Sequence, residues 1–219
     1  MKKINVITID GPSASGKGAL ARGIANSFGF NILDSGVLYR LYAYLLNMSY
    51  SPDEIAIQIQ KHVRFKKSEE RLSVIYKKKD ITSEIRSEII AKSASEHSSK
   101  KEVREALFNI QRSFYDGKGL VADGRDMGTV VFKDAKLKIF LTATSKERAK
   151  RRYIELQNLG QEVNMPALIA DIEKRDIKDS SRELSPLLPS EDAVVIDSSD
   201  MTLDEVFSFT ENLIKEEFI

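Results

Sequence analysis

The stretch from Ile4 to Phe28 constrains this chain more than any other. An apolar run ends at Asp10, the octet Gly11-Pro12-Ser13-Ala14-Ser15-Gly16-Lys17-Gly18 follows, and an amphipathic segment then begins. In order, these are a strand, a glycine-rich loop and a helix. Glycines at 11 and 16 let backbone N–H groups turn inward around anionic oxygens, and the helix starting near Lys17 aims its positive end at the same place. Lys17 adds a mobile point charge for the outer phosphates of a nucleoside triphosphate. A surface turn that happens to be rich in Gly and Ser is the plain alternative, but such a turn rarely has both the strand and the helix beside it.

The end of the loop narrows the choice. Gly18 stands where a Ser or Thr hydroxyl usually ligates magnesium, a hydroxyl that GTPase switches need, and no Asn-Lys-x-Asp tetrad occurs in the chain. A rival reading takes Gly16-Lys17-Gly18-Ala19-Leu20-Ala21 as a relaxed dinucleotide-binding fingerprint, with Asp34 downstream as the ribose acid of an NAD-dependent oxidoreductase. That fingerprint turns straight from strand into its first glycine, whereas here five residues separate Asp10 from Gly16.

With 219 residues, 42% of them apolar, the chain suits one globular domain with a small insertion. Its 34 basic and 33 acidic residues nearly cancel, which gives no global field to attract nucleic acid or anionic membrane. Cysteine is absent, so disulfides, thiolate metal sites and cysteine nucleophiles are excluded. Met1-Lys2-Lys3 precedes too short an apolar run for a secretory signal, and a cytoplasmic protein is expected.

Further along, a helix over Lys17–Phe28 should stop at Gly29, a strand should cover Asn31–Leu33, and Asp34 or Ser35 should cap a helix reaching about Asn47. Between about 50 and 98 a helix opened by Ser51-Pro52-Asp53, a hairpin (Val63–Lys66, Leu72–Tyr76), a turn at Lys79-Asp80 and a helix with Ile85, Ile89 and Ile90 on one side read as a subdomain. His62 and His97 fall there and read as ordinary residues. Capping boxes are expected at Ser99/Glu102, Thr144/Glu147 and Thr202/Glu205, the last opening a helix with Leu203, Val206, Phe207, Leu213 and Ile214 inward. Strands are expected at Leu120–Asp123, Leu137–Leu141 and Ala193–Ile196. Asp123 ends its strand like the magnesium-side acid of phosphate-loop enzymes and leads into Gly124-Arg125-Asp126-Met127-Gly128-Thr129. Arg148, Arg151 and Arg152 have the spacing to point together at a triphosphate, and Arg175, Asp179 and Arg182 share one helical face.

Four separated stretches together resemble bacterial cytidylate kinases. They are Ile9-Asp10-Gly11-Pro12-Ser13 with Gly16-Lys17-Gly18, Asp34-Ser35-Gly36 with Tyr39-Arg40, Ala122 to Phe132, and Arg175 with Asp179 and Arg182. The resemblance implies an α/β fold of the P-loop nucleoside monophosphate kinase kind: a five-stranded parallel sheet flanked by helices in three layers. It places the core at 1–49, 99–144 and 161–219, a monophosphate-binding insertion at about 50–98 and a lid at about 145–160. It implies ATP-dependent phosphorylation of CMP and dCMP, in pyrimidine nucleotide metabolism, by an enzyme expected as a monomer without nucleic acid or membrane partners.

For the site, it implies that residues 11–19 bind ATP and that Lys17, Arg125, Arg148, Arg151 and Arg152 stabilise the transferring group. Asp123 would hold Mg2+, through water. Ser35, Tyr39, Arg40, Arg125 and Arg182 would surround the acceptor phosphate and ribose side, Ser95, Arg104 and Asp126 would read cytosine, and Arg175 and Asp179 would hold the sugar hydroxyls. The family usually has Thr after the loop's final Gly; Ala19 stands here. Other small-molecule kinases of this loop type, such as shikimate or gluconate kinases, and a nucleotide-binding protein without transferase activity are the alternatives.

Overall fold

The computed structural model describes residues 3–67, 72–158, 160 and 162–218. The expected start of the last core segment, residue 161, and positions 68–71 of the expected insertion lie outside them.

Strand β1 (Ile4–Asp10) leads into α1 (Lys17–Ser27), β2 (Asn31–Asp34) and α2 (Ser35–Asn47). Gly29, at φ +67°, ends α1 as expected: it turns the chain so that the Phe30 N–H reaches the Ala25 carbonyl at 3.0 Å. Asp34 caps α2 by accepting from the Val37 N–H at 3.0 Å. Next come α3 (Pro52–His62), opened by a complete Ser51/Glu54 capping box, and the antiparallel strands β3 (Val63–Lys67), β4 (Leu72–Tyr76) and β5 (Lys79–Asp80). Helices α4 (Thr82–Ile85) and α5 (Glu88–His97) complete this segment.

The core resumes with α6 (Lys101–Arg112), β6 (Leu120–Gly124), a π-helical turn over Met127–Val131 and β7 (Ala135–Thr142). It closes with α7 (Ser145–Asn158), α8 (Met165–Ser180), β8 (Val194–Asp197) and α9 (Leu203–Phe218).

Five strands form one parallel sheet in the order β2-β6-β1-β7-β8, as expected. Side chains alternate across β1, so Ile7 and Ile9 pack with Leu20 and Ile24 on one face while Val6 packs with Leu38, Leu41 and Ile110 on the other. A strand covered on both faces is continuously apolar. Because the strands are parallel, Asp10, Asp34 and Asp123 arrive together at one rim of the sheet, where ligands of open α/β folds bind.

Several local expectations are corrected. Lys79-Asp80 is a third strand; the turn lies one step earlier, at Lys77 and Lys78, both with positive φ. The helix carrying Ile85, Ile89 and Ile90 is two helices, because Ser87 is extended between them; Ile85 and Ile90 are buried but Ile89 is 77% exposed. No Ser99/Glu102 box forms: Lys100 is the N-cap of α6, and the Ser99 hydroxyl turns back to the Glu96 carbonyl. At Thr144 only half a box forms, since Glu147 donates its N–H to the Thr144 hydroxyl but gives its carboxylate to Lys150. The Thr202/Glu205 box is complete, yet Leu203, in the first turn after it, is 51% exposed. His62 is exposed and His97 bonds the Ser93 carbonyl one turn back, so both are ordinary residues.

Candidate active site

The phosphate loop leaves β1 at Gly11, where a Cβ would lie 2.0 Å from the Leu141 carbonyl oxygen, so only glycine fits beside β7. Gly16, at φ +96°, is the N-cap of α1. Lys17 is buried, and its ammonium donates to the Pro12 carbonyl at 2.8 Å. Burial, reinforced by Arg125 and Arg175 and opposed by Asp123, pushes Lys17 down to about 8. The hydroxyls of Ser13 and Ser15 are buried with no partner in the protein. Asp123, one residue before the end of β6, lies next to Asp34; burial pushes its carboxyl up to about 6, against the pull of Lys17. A Cβ on Gly18 would lie 3.3 Å from this carboxylate, so the missing side chain leaves the space between loop and acid free.

Beside the loop is a second cleft, walled by the start of α2, by α5, and by the ends of β6 and α8. Arg104 reaches in from α6, pairs with the Asp126 carboxylate and donates to the Ser98 carbonyl at 3.0 Å. Its guanidinium lies 6.0 Å from the centre of the Tyr39 ring, whose phenol burial pushes up to about 12. Arg125 gives its Nε–H to Asp179 at 2.6 Å, and Arg182 takes the other oxygen of Asp179 while donating to the Ser98 hydroxyl at 3.1 Å. Burial alone would raise Asp179, but Arg125, Arg182 and Arg175 together hold it below the usual carboxylate range.

Arg40 donates to the Ile85 carbonyl at 3.3 Å, Ser35 to the side-chain oxygen of Gln111 at 3.2 Å, and Ser95 accepts through its carbonyl from Lys178 at 3.1 Å. Arg175 also lines the cleft. Repulsion by Arg125, and then burial, push it down to about 10. The Nε atoms of Arg175 and Arg182 are buried without partners. Excess guanidinium charge and unpartnered donors around one cavity describe an anion site.

All ten residues that the resemblance assigned to the acceptor side meet in or directly against this cleft. Arg175 and Asp179 lie on α8, but the helix ends at Ser180 and Arg182 follows it in a loop. Of the three arginines of α7, Arg148 and Arg151 both reach the phosphate loop and Arg152 does not. Arg148, 4% exposed, holds the Ala143 and Ser13 carbonyls and pairs with Asp176. Arg151 holds the Ser15 carbonyl and both oxygens of Ser198, while Arg152 goes to Glu155 and, across to α5, to Glu88 at 2.8 Å. The physical reason lies in the loop: turning its N–H groups inward leaves carbonyls facing outward, and two of the guanidinium groups satisfy them. A groove of about 540 Å³ runs outside the loop past Gly16, Ala19, Arg151, Asp200 and Thr202.

The family model described as cytidylate kinase matches residues 7–216. The chain belongs to the cytidylate kinase family. It is 46% identical over 206 residues to the cytidylate kinase of Serratia proteamaculans, covering 92% of this chain and 90% of that one. The cytidylate kinase of Proteus mirabilis is 42% identical over 208 residues, covering 93% and 92%. Among solved structures, an uncharacterized protein from Eubacterium ventriosum superposes with a TM-score of 0.56 at 14% identity, over 98% of this chain and 99% of that chain, which shows a shared fold alone.

This cytidylate kinase site contains residues that sequence reasoning passed over. Ser98 touches both Arg104 and Arg182; its spacing of three from Ser95 on α5 was the available signal. Gln111 supports Ser35 from α6, and Asp176 anchors Arg148. Asp10, the acid that ends β1, is buried beneath the site.

Proposed function

We propose that the arginine-lined cleft is the CMP subsite, and the phosphate loop with its outer groove the ATP subsite, of one kinase active site. The enzyme phosphorylates CMP and dCMP with ATP. The observation that carries the assignment is the pair of buried Nε donors on Arg175 and Arg182 that have no partner, in the same cleft as the Arg104–Asp126 pair. Arg40, Arg125 and Arg182 receive the acceptor phosphate with Ser35 and Tyr39. Arg175 and Asp179 serve the ribose, and Arg104, Asp126 and Ser95 read the cytosine edge. The acceptor phosphate, with a second pKa of about 6, is largely ionised at neutral pH and needs no general base. Catalysis is therefore positioning and charge stabilisation: Lys17 and Arg125 flank the transferring group, and the loop N–H groups hold the donor phosphates.

Among the described residues, no cluster of three or more acidic or histidine side chains could hold a metal by protein ligands alone. A single carboxylate, Asp123, facing the open space beside Gly18, fits Mg2+, which keeps waters and binds chiefly through substrate phosphates. Bound there, Mg2+ would neutralise charge on the phosphate oxygens.

The free space in the CMP cleft is about 60 Å³, and movement of the segment at 50–98 away from α7 and α8 would widen it for substrate. Arg152–Glu88 and Lys178–Ser95 tie that segment to α7 and α8 and would break in such a movement. No described helix is long and apolar enough to cross a membrane. We assign the enzyme, acting as a monomer, to the cytoplasm and to pyrimidine nucleotide metabolism. A coupled ADP-release assay over a panel of monophosphates tests the reading: turnover should be highest with CMP and dCMP, weaker with UMP and negligible with AMP or GMP. Equal turnover across the panel would overturn it.

A further inference from the structure

Asp10 has no task in the scheme above, yet it is a carboxylate only 4% exposed at the centre of the sheet's functional rim. It ends β1, in register with Gly124 on one side and Phe140 on the other, and the next residue is the first glycine of the phosphate loop. Its oxygens nevertheless take their hydrogen bonds from outside that loop. One accepts from the Met127 N–H at 2.8 Å and the other from the Gly128 N–H at 2.7 Å. A buried carboxylate is tolerated only when its oxygens are bonded, and bonds of this charged kind are short and directional.

The fit around them is tight. A Cβ on Gly128 would lie 2.9 Å from the Thr8 hydroxyl, 3.2 Å from the Lys138 side chain and 3.3 Å from the Asp10 carboxylate, so glycine lets the backbone settle onto Asp10. At the far end of the same π-helical turn, Arg112 holds the Val131 carbonyl at 2.9 Å. The two amides that Asp10 grips directly follow Arg125 and Asp126, whose side chains enter the cleft.

We infer that Asp10 is a positioning residue for CMP recognition: by gripping the amides of Met127 and Gly128 it sets the direction in which Arg125 and Asp126 leave the backbone. The inference rests on the assignment of those two side chains to CMP. Asp10 does not line the cleft and acts only through its neighbours. It also makes one strand end the common support of the donor loop and the acceptor-reading turn.

Asp10→Asn keeps the size but sets an NH2 donor against a backbone N–H. In the folded variant the KM and the calorimetric Kd for CMP should each rise about tenfold, the preference for CMP over UMP should fall, and the KM for ATP should stay within about twofold. A purely structural acid would lower the melting temperature and leave these constants alone. Because part of the effect passes through Asp126, the losses of Asp10→Asn and Asp126→Asn should be clearly less than additive in the double variant. Should Asp10→Asn not fold, Gly128→Ala, which keeps the carboxylate but lifts the turn off it, must show the same split between CMP and ATP. Unchanged CMP constants beside a normal wild type, equal losses for both substrates, or full additivity would overturn the inference. A wild type that neither binds nor phosphorylates CMP would overturn the acceptor assignment and this inference with it.

Discussion

Arg125 acts on Arg175 across the CMP cleft, and its charge, ahead of burial, is the largest influence pushing Arg175 down to about 10. Such crowding favours an anionic ligand and disfavours the unliganded fold. Arg175→Gln should therefore raise the melting temperature of the free enzyme by about 2 °C or more while raising the KM for CMP about tenfold. A lower melting temperature with an unchanged KM would show that the repulsion is already compensated.

Among the described residues Asp126 is the only acid paired with Arg104, and both are largely buried. Removing the acid leaves a buried charge without its partner, which costs about 3 kcal/mol. Asp126→Ala should lose that much stability to urea, and its ratio of kcat/KM for CMP over UMP should collapse toward one. A preserved ratio would remove Asp126 from base reading.

Ala14 sits in the phosphate loop at φ +59°, where an L side chain is strained by about 1–2 kcal/mol. Glycine relieves that strain but adds about 0.4–1 kcal/mol of unfolded-chain entropy. The strain term is the larger, so Ala14→Gly should stabilise the protein by roughly 0.5–1 kcal/mol. ATP binding should not change, because the loop keeps its path. A destabilised variant would indicate that the methyl group packs.

The carboxyl of Asp10 is pushed up to about 7, mainly by burial and against the N–H groups of Gly128 and Met127. Between the ordinary value of 3.8 and about 7, the native state thus holds a proton that the unfolded chain has released. This group's contribution to stability must then fall as pH rises through that window and level off above it, with a slope of at most about 1.4 kcal/mol per pH unit. Urea unfolding of wild type and Asp10→Asn at pH 5, 6, 7 and 8 measures the difference. A difference that stayed constant from pH 5 to 8 would mean that Asp10 is ionised throughout.

Ala19 borders the outer groove, and its own N–H is engaged with the Gly16 carbonyl at 3.1 Å, leaving no strong free donor at this position. A Thr hydroxyl would add one. Ala19→Thr should tighten ATP binding by up to about tenfold, near 1.4 kcal/mol, with little change in CMP affinity or in turnover at saturating ATP. Equal ATP dependence in the two proteins would show that another group already makes the contact.

The sequence carried the strand, loop and helix at residues 4–28, the Asp34 cap and the strand that carries Asp123, because each is set by near neighbours. Its resemblance to a family also brought the acceptor residues together. It did not carry the partner of each guanidinium. Arg148 and Arg151 have helical spacing suited to a common target, but the nearest acceptors are loop carbonyls and Asp176, which are distant in sequence. Asp10 was hidden for the same reason: its partners lie beyond residue 120, and an acid at a strand end gives no sign of them. A two-residue strand such as β5 is too short for any alternation to reveal.

The position of β1 in the middle of the sheet has a consequence for how the protein is made. Among the described residues its strand neighbours are β6 and β7, so Ile4–Asp10 is synthesised more than a hundred residues before the Leu120–Thr142 segment that pairs both its edges. The phosphate loop therefore takes shape late in synthesis, through pairings remote in sequence, which fold slowly. Until then the nascent chain exposes an apolar strand with two open edges, the kind of segment that chaperones shield and that aggregates when they do not.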